Sequence, residues 1–82
     1  MGLSVQSLAG VGSGCPDLLV GSGGRDIWLV EVKDGAKSPS RQQLTPDEFA
    51  WHQAWRGRPV LIVRSLTDAV ETFTRLLLMQ EV

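Results

Sequence analysis

The chain has 82 residues, a net charge of −1 and 43% apolar residues, which suits one small domain spanning residues 1–82 and excludes both a disordered chain and a multidomain one. With a pI near 5.7 it lacks the overall basic field of a simple phosphate binder, so any dealings with nucleic acid must rest on local charge. One cysteine, Cys15, and one histidine exclude a disulfide framework and a Cys/His zinc site and fit a reducing cytoplasm; no leader-like segment or long unbroken apolar run points to export or a membrane.

In chain order, SVQSLA (4–9) is expected as an edge strand and GVGSGCP (10–16) as a glycine-rich loop. DLLVGS opens a short strand, and GSGGRD (21–26) forms a hairpin loop whose glycines supply positive φ. DIWLVEVK (26–33) is the clearest strand, rich in β-branched and aromatic residues. After a polar, turn-forming stretch (34–44), Thr45 and Glu48 form a capping box with Pro46 at the first helical position. The helix is expected to run to about Arg56 and to stop at Gly57, with Pro59 beyond. RPVLIVRS (58–65) holds an apolar strand expected to be buried on both faces. Ser65 then caps a last helix, with Asp68 in its first turn and Leu66, Ala69, Val70, Phe73, Leu76 and Leu77 at helical spacing. The order β-β-β-α-β-α predicts an α/β domain with a small mixed sheet flanked by helices.

The period of two along 26–33 places Ile27, Leu29, Glu31 and Lys33 on one face and Trp28, Val30 and Val32 on the other. Both faces are largely apolar, so a central strand is expected, with Glu31 and Lys33 about 6.5 Å apart by Cα. Two hairpin registers are open. A four-residue loop (22–25) sets Asp17 opposite Val30, and a five-residue loop (22–26) sets it opposite Glu31. In the second register the two acids are about 5 Å apart by backbone. Carboxylates that close repel, and partial burial deepens the penalty. Lys33 offsets some of it, and a hard divalent cation such as Mg²⁺ or Mn²⁺ offsets more. Asp17, Glu31 and Lys33 together are equipment for metal-assisted phosphodiester hydrolysis. Taken singly, an Asp after Pro is a common turn residue and a Glu–Lys pair on a strand a common surface ion pair. It is their conjunction on a central strand that favours chemistry.

Pro16-Asp17 followed by Glu31-Val32-Lys33 resembles the PD-(D/E)xK pattern of the restriction-endonuclease-like superfamily. The wider context is similar to the compact VRR-Nuc nucleases of phages and bacteria over residues 5–73: Gly14-x-Pro16-Asp17-Leu18-Leu19-Val20, the Leu44-Thr45-Pro46 helix start, Trp51, and Gly57 followed by Val60-Leu61-Ile62-Val63. The resemblance implies a restriction-endonuclease-like fold with Asp17 and Glu31 as metal-binding carboxylates and Val32 as a ligand through its backbone carbonyl. It also implies Lys33 on the attacking water, Mg²⁺ or Mn²⁺ as cofactor, branched or structured DNA as substrate and cleavage as a homodimer in the cytoplasm of a bacterial or phage-infected cell. Two positions depart from the pattern. The resembling proteins usually open with a helix carrying a further acid, whereas this sequence opens MGLSVQS, and Glu48 stands where they often have Gln.

Lys37, Arg41, Ser38 and Ser40 follow the catalytic strand, placed to contact DNA phosphates or simply to solvate a loop. Arg25 at the hairpin tip suits solubility. His52 is expected at a surface or boundary, and Cys15 as a small packed thiol. Trp28, Trp51 and Trp55 suit core or interface packing more than base stacking. Leu76, Leu77, Leu78 and Met79 exceed a single core stripe, so exposed apolar surface and a homodimer, with exchanged elements as one route to it, are expected. The function expected is metal-dependent DNA cleavage. The rivals are an impaired nuclease-fold module that binds DNA or a partner without cutting, and an oligomerisation domain with an incidental ion pair.

Overall fold

A computed structural model describes residues 2–23 and 26–80. The expected element order holds, with four strands and two helices in one mixed sheet. Strands β1 (Leu3–Ser7), β2 (Leu18–Ser22) and β3 (Asp26–Val32) form an antiparallel meander. A crossover carrying helix α1 (Pro46–Ala54) returns the chain to β4 (Leu61–Val63), which pairs parallel to β3. Helix α2 (Leu66–Gln80) follows. The sheet order is β1-β2-β3-β4, so β3 is interior, as expected, and β1 lies at an edge.

Several boundaries move. β1 spans residues 3–7 rather than 4–9 and β3 stops at Val32, one residue short of Lys33. The hairpin is tighter than the loop expected at 21–26, because the ladder closes at Ser22↔Asp26. Arg25 lies outside the described residues. α1 ends two residues before Arg56: Trp55 turns extended (φ −67°, ψ 127°) while its N–H still reaches the Trp51 carbonyl. The polar stretch after β3 contains one 3₁₀ turn, Pro39–Gln42. β4 is the largest correction. It has only three residues, it is the other edge of the sheet, and of its residues only Val63 is buried. An apolar run long enough for a central strand here fills an edge position, since one neighbour and one helix cover it.

The core sits between the sheet and α2. Val20, Trp28, Val30 and Val63 point from the sheet toward Phe73 of α2, and Leu3, Leu18, Leu61, Ala69 and Leu76 pack around them. Phe73 meets the Trp28 ring edge-on at 5.5 Å between centroids, a geometry aromatic quadrupoles favour. Arg58 lies over the Trp28 ring and also pairs with Asp26. α2 begins as expected, the Ser65 hydroxyl accepting from the Asp68 N–H at 3.0 Å. Leu66, expected on the apolar stripe, is 81% exposed, and Val70, Leu78 and Met79 are exposed as well. The opposite sheet face is only partly covered: Ile27 is 63% exposed. No helix among the described residues is long and apolar enough to cross a membrane.

Since Phe73 is the buried residue that α2 contributes to the core among the described residues, Phe73→Ala is expected to destabilise the fold by about 3–5 kcal/mol. That is a large share of the ~5–15 kcal/mol available to a domain. Urea unfolding followed by circular dichroism measures it.

Candidate functional site

Glycine shapes the turn that leads into the site. Gly14 has φ +84°, and a β-carbon there would lie 2.3 Å from the Asp47 carbonyl oxygen. The turn Gly14–Asp17 therefore meets the first turn of α1 backbone to backbone, which only glycine allows. Pro16 is fully buried behind it, and the Leu8 N–H bonds the Asp17 carbonyl at 2.8 Å. Cys15 is a partly buried free thiol.

The β2–β3 ladder pairs Leu18 with Val30, and one further step sets Asp17 opposite Glu31. Of the two registers open from sequence, this is the one that brings the acids together. The Asp17 carboxyl lies within hydrogen-bonding reach of Glu31, so both lie on the same side of the sheet. Asp17 Oδ2 also accepts from the Val32 N–H at 2.7 Å, which ties the turn to the strand that carries Glu31. Glu31 is 1% exposed. Burial first, then the hydrogen bond and charge of Asp17 and the charge of Glu48, push its pKa up to about 8 from an ordinary 4.5, against the lowering pull of Lys33. Burial and its acidic neighbours thus favour the neutral form of Glu31.

Helix α1 supplies two groups to this face. Lys33 Nζ lies 2.6 Å from Glu48 Oε1, and His52 Nε2 lies 3.4 Å from Glu31 Oε1. The capping box expected at Thr45 and Glu48 is present in both directions. Burial raises the Glu48 pKa, but the hydrogen bonds from Lys33 and Thr45 and the charge of Lys33 outweigh it and hold the carboxyl below its ordinary value. His52, expected at a boundary, is instead a neighbour of the acid pair. Lys33, expected beside the two acids, is drawn to Glu48. The sequence contained a signal for both: Glu48 and His52 are four apart, so they share one helix face, and that face meets the polar stretch of β3.

Lys37 and Arg41 lie exposed in the 34–44 stretch and make no ion pair among the described residues. The segment is ordered around Gln42, whose amide donates to the carbonyls of Lys37 at 2.6 Å and Gly35 at 3.3 Å. Ser38 and Ser40 hydroxyls are 3.3 Å apart. Trp51 of α1 stacks at 5.1 Å on Trp55, which follows the end of the helix, and neither belongs to the core that holds Trp28.

No group of three or more His, Cys, Asp or Glu side chains is arranged to hold a metal among the described residues. What is present is a buried carboxyl, Glu31, beside the part-buried carboxyl of Asp17, with Val32 adjacent in the chain. That set fits a small hard cation that keeps several of its own waters, and it does not fit a fully protein-ligated ion. Comparison with known proteins gives no match: no family model, no curated protein and no solved structure is similar enough to the chain to place it in a family.

A carboxyl whose pKa is raised on folding adds stability below its unfolded value and loses it as pH climbs through its folded one. The metal-free protein should therefore lose stability between pH 4.5 and about 8 as Glu31 is forced to ionise, while the low-lying Glu48 keeps its contribution throughout. Thermal melts across that range check it. Glu31→Gln should flatten the decline, and millimolar Mn²⁺ should raise the melting temperature most at the alkaline end.

Proposed function

We propose that this chain is a metal-dependent DNA endonuclease built on a restriction-endonuclease-like core of the VRR-Nuc kind. The observation that carries the proposal is the contact between the Asp17 and Glu31 carboxyls on adjacent strands, with Lys33 two residues along on the same face. The antiparallel β1–β2–β3 meander, the α1 crossover and the parallel β4 support the fold assignment at the level of element order.

In this proposal Asp17 and Glu31 hold Mg²⁺ or Mn²⁺ through their carboxylates, with the Val32 carbonyl beside them. When bound, the cation polarises the scissile phosphate and lowers the pKa of the attacking water. Glu31 must give up its proton to serve, which links cation binding to proton release. Lys33 directs its ammonium to the water and to the charge that develops on the phosphate. Lys37 and Arg41, exposed just beyond β3, meet the phosphates on either side of the cut, which suits branched or structured DNA whose strands diverge.

One observation favours a second reading, a module that grips DNA without cutting it: the Lys33 ammonium is already neutralised by an ion pair with Glu48. An assay with Mn²⁺ on linear and branched DNA decides between them. The wild type should cut, and Asp17→Ala and Lys33→Ala should each lower kcat by about 10²–10³-fold, the size of losing one transition-state electrostatic contact. Retention of DNA in a mobility-shift assay without cleavage supports the module instead.

Exposed Val32 and Leu66 line one apolar depression, Val70 lines a neighbouring one that shares Leu18, Val63 and Ala69 with it, and Leu78 and Met79 are exposed farther along α2. We propose that a second copy of this chain covers it. Light scattering at micromolar concentration should give twice the chain mass of 8.9 kDa, and Leu66→Glu should shift the population toward monomer.

A further inference from the structure

We propose that Glu48 is the positioning residue for Lys33, so that the N-terminal cap of α1 aims the amine of the active centre; the inference rests on the nuclease reading above. A single carboxylate oxygen, Glu48 Oε1, accepts both the Lys33 ammonium at 2.6 Å and the Thr45 backbone N–H at 2.8 Å. The Thr45 hydroxyl in turn accepts from the Glu48 N–H at 3.2 Å. Glu48 is thereby fixed from the helix side on two counts, and its oxygen cannot follow the lysine. The lysine, a point charge on a flexible four-carbon stem, must come to it. Of the three N–H donors on that ammonium, one is committed to Glu48, and the direction of the other two follows.

The height of the Glu48 oxygen above the sheet is set by backbone rather than by side chains. Gly14 lets the turn that ends in Asp17 press against Asp47 and the Glu48 N–H, where a β-carbon would lie 2.9 Å from that nitrogen. The turn bearing one acid, the strand bearing the other and the helix bearing the lysine's anchor are thus registered against one another through main-chain contacts and the Asp17–Val32 bond. A cap that served only the helix would need the Thr45 contacts alone. The charge-assisted bond to Lys33, made where both side chains are more than four-fifths buried, has no part in ending a helix.

The test compares wild type, Glu48→Ala, Glu48→Gln, Lys33→Ala and Ser65→Ala by Mn²⁺-dependent cleavage kinetics and by ¹⁵N NMR of the lysine ammonium groups in metal-free protein. Lys37→Arg assigns the Lys33 signal. Glu48→Ala should lower kcat by about 10²-fold, the scale of a roughly 1 Å misplacement of a reacting group, with KM within about twofold. Glu48→Gln retains an acceptor oxygen for both donors and should recover most of kcat. Ser65→Ala, which removes the cap of α2 instead, controls for lost stability and should leave kcat unchanged. The Lys33 Nζ–H signal should be slow to exchange in wild type and Glu48→Gln and be lost in Glu48→Ala. Cleavage by the wild type, abolished by Lys33→Ala yet undiminished in Glu48→Ala, overturns the role of Glu48 alone. So do a kcat loss in Ser65→Ala equal to that in Glu48→Ala, an equally low kcat in Glu48→Gln, or a Lys33 signal that Glu48→Ala leaves unaltered. A wild type that does not cut under any divalent cation overturns the nuclease reading and this inference with it.

Discussion

A slip of one residue between β2 and β3 would carry Asp17 to the face occupied by Trp28 and Val30 and part it from Glu31. Everything distinctive about this small sheet depends on that slip not occurring. Leu18 and Val20 belong to the core beneath α2, so the apolar face fixes the pairing, and Asp17, one residue earlier than Leu18, lands on the polar side. The Val32 N–H then binds Asp17 Oδ2 and closes the last step of the pairing with a side chain in place of a carbonyl. Two acid groups end up side by side, one of them buried, and burial together with the neighbouring Asp17 raises the pKa of Glu31.

The two helices are held by different physics. α2 contributes Phe73 to the core and keeps its place by burying apolar surface. α1 has no buried residue. Polar groups join it to the sheet side of the molecule, in the Glu48–Lys33 and His52–Glu31 pairs, and Gly14 approaches Asp47 closely. Polar pairs of this sort gain little net free energy once desolvation is counted, but they are specific in geometry. The helix nearest the chemistry is thus located accurately and bound weakly, and the polar groups that would act on a substrate are the same ones that seat it.

Much of this was legible in the sequence, for reasons that differ by element. The capping box at Thr45 and Glu48, the cap at Ser65 and the alternation through 26–33 are local patterns, and local patterns survive folding intact. The acid pair was legible as a choice between two registers; the tight Ser22↔Asp26 closure that selects one of them depends on packing of Leu18 and Val20 under a helix some fifty residues later. The sequence shows Glu48 as a cap because its partner in the cap is three residues away, while its other partner, Lys33, lies fifteen residues back across a turn. The contact of His52 with Glu31 is hidden in the sequence because nothing in a helical wheel says how far that helix leans over a neighbouring strand. The run 60–63 has the composition of a central strand, and only the count of strands beyond it, which is none among the described residues, makes it an edge. Leu66 fits the apolar spacing of α2, yet at the first helical position it stays largely exposed.

The three tryptophans occupy two optical environments. Trp28 is enclosed in the core against Phe73 and beneath Arg58, whereas Trp51 of α1 and Trp55 just past its end lie face to face, their planes within 18° of parallel, with His52 beside Trp51. The stacking is locked from outside by the Trp55 indole N–H, which donates to the Arg58 carbonyl at 3.0 Å, and by Gly57, where any side chain would strike the Trp55 ring. Parallel indoles at this spacing couple their electronic transitions, so their circular dichroism reports the posture of the weakly bound helix, while the emission of Trp28 reports the integrity of the core. The unmodified polypeptide therefore carries separate native chromophores for helix undocking and for global unfolding.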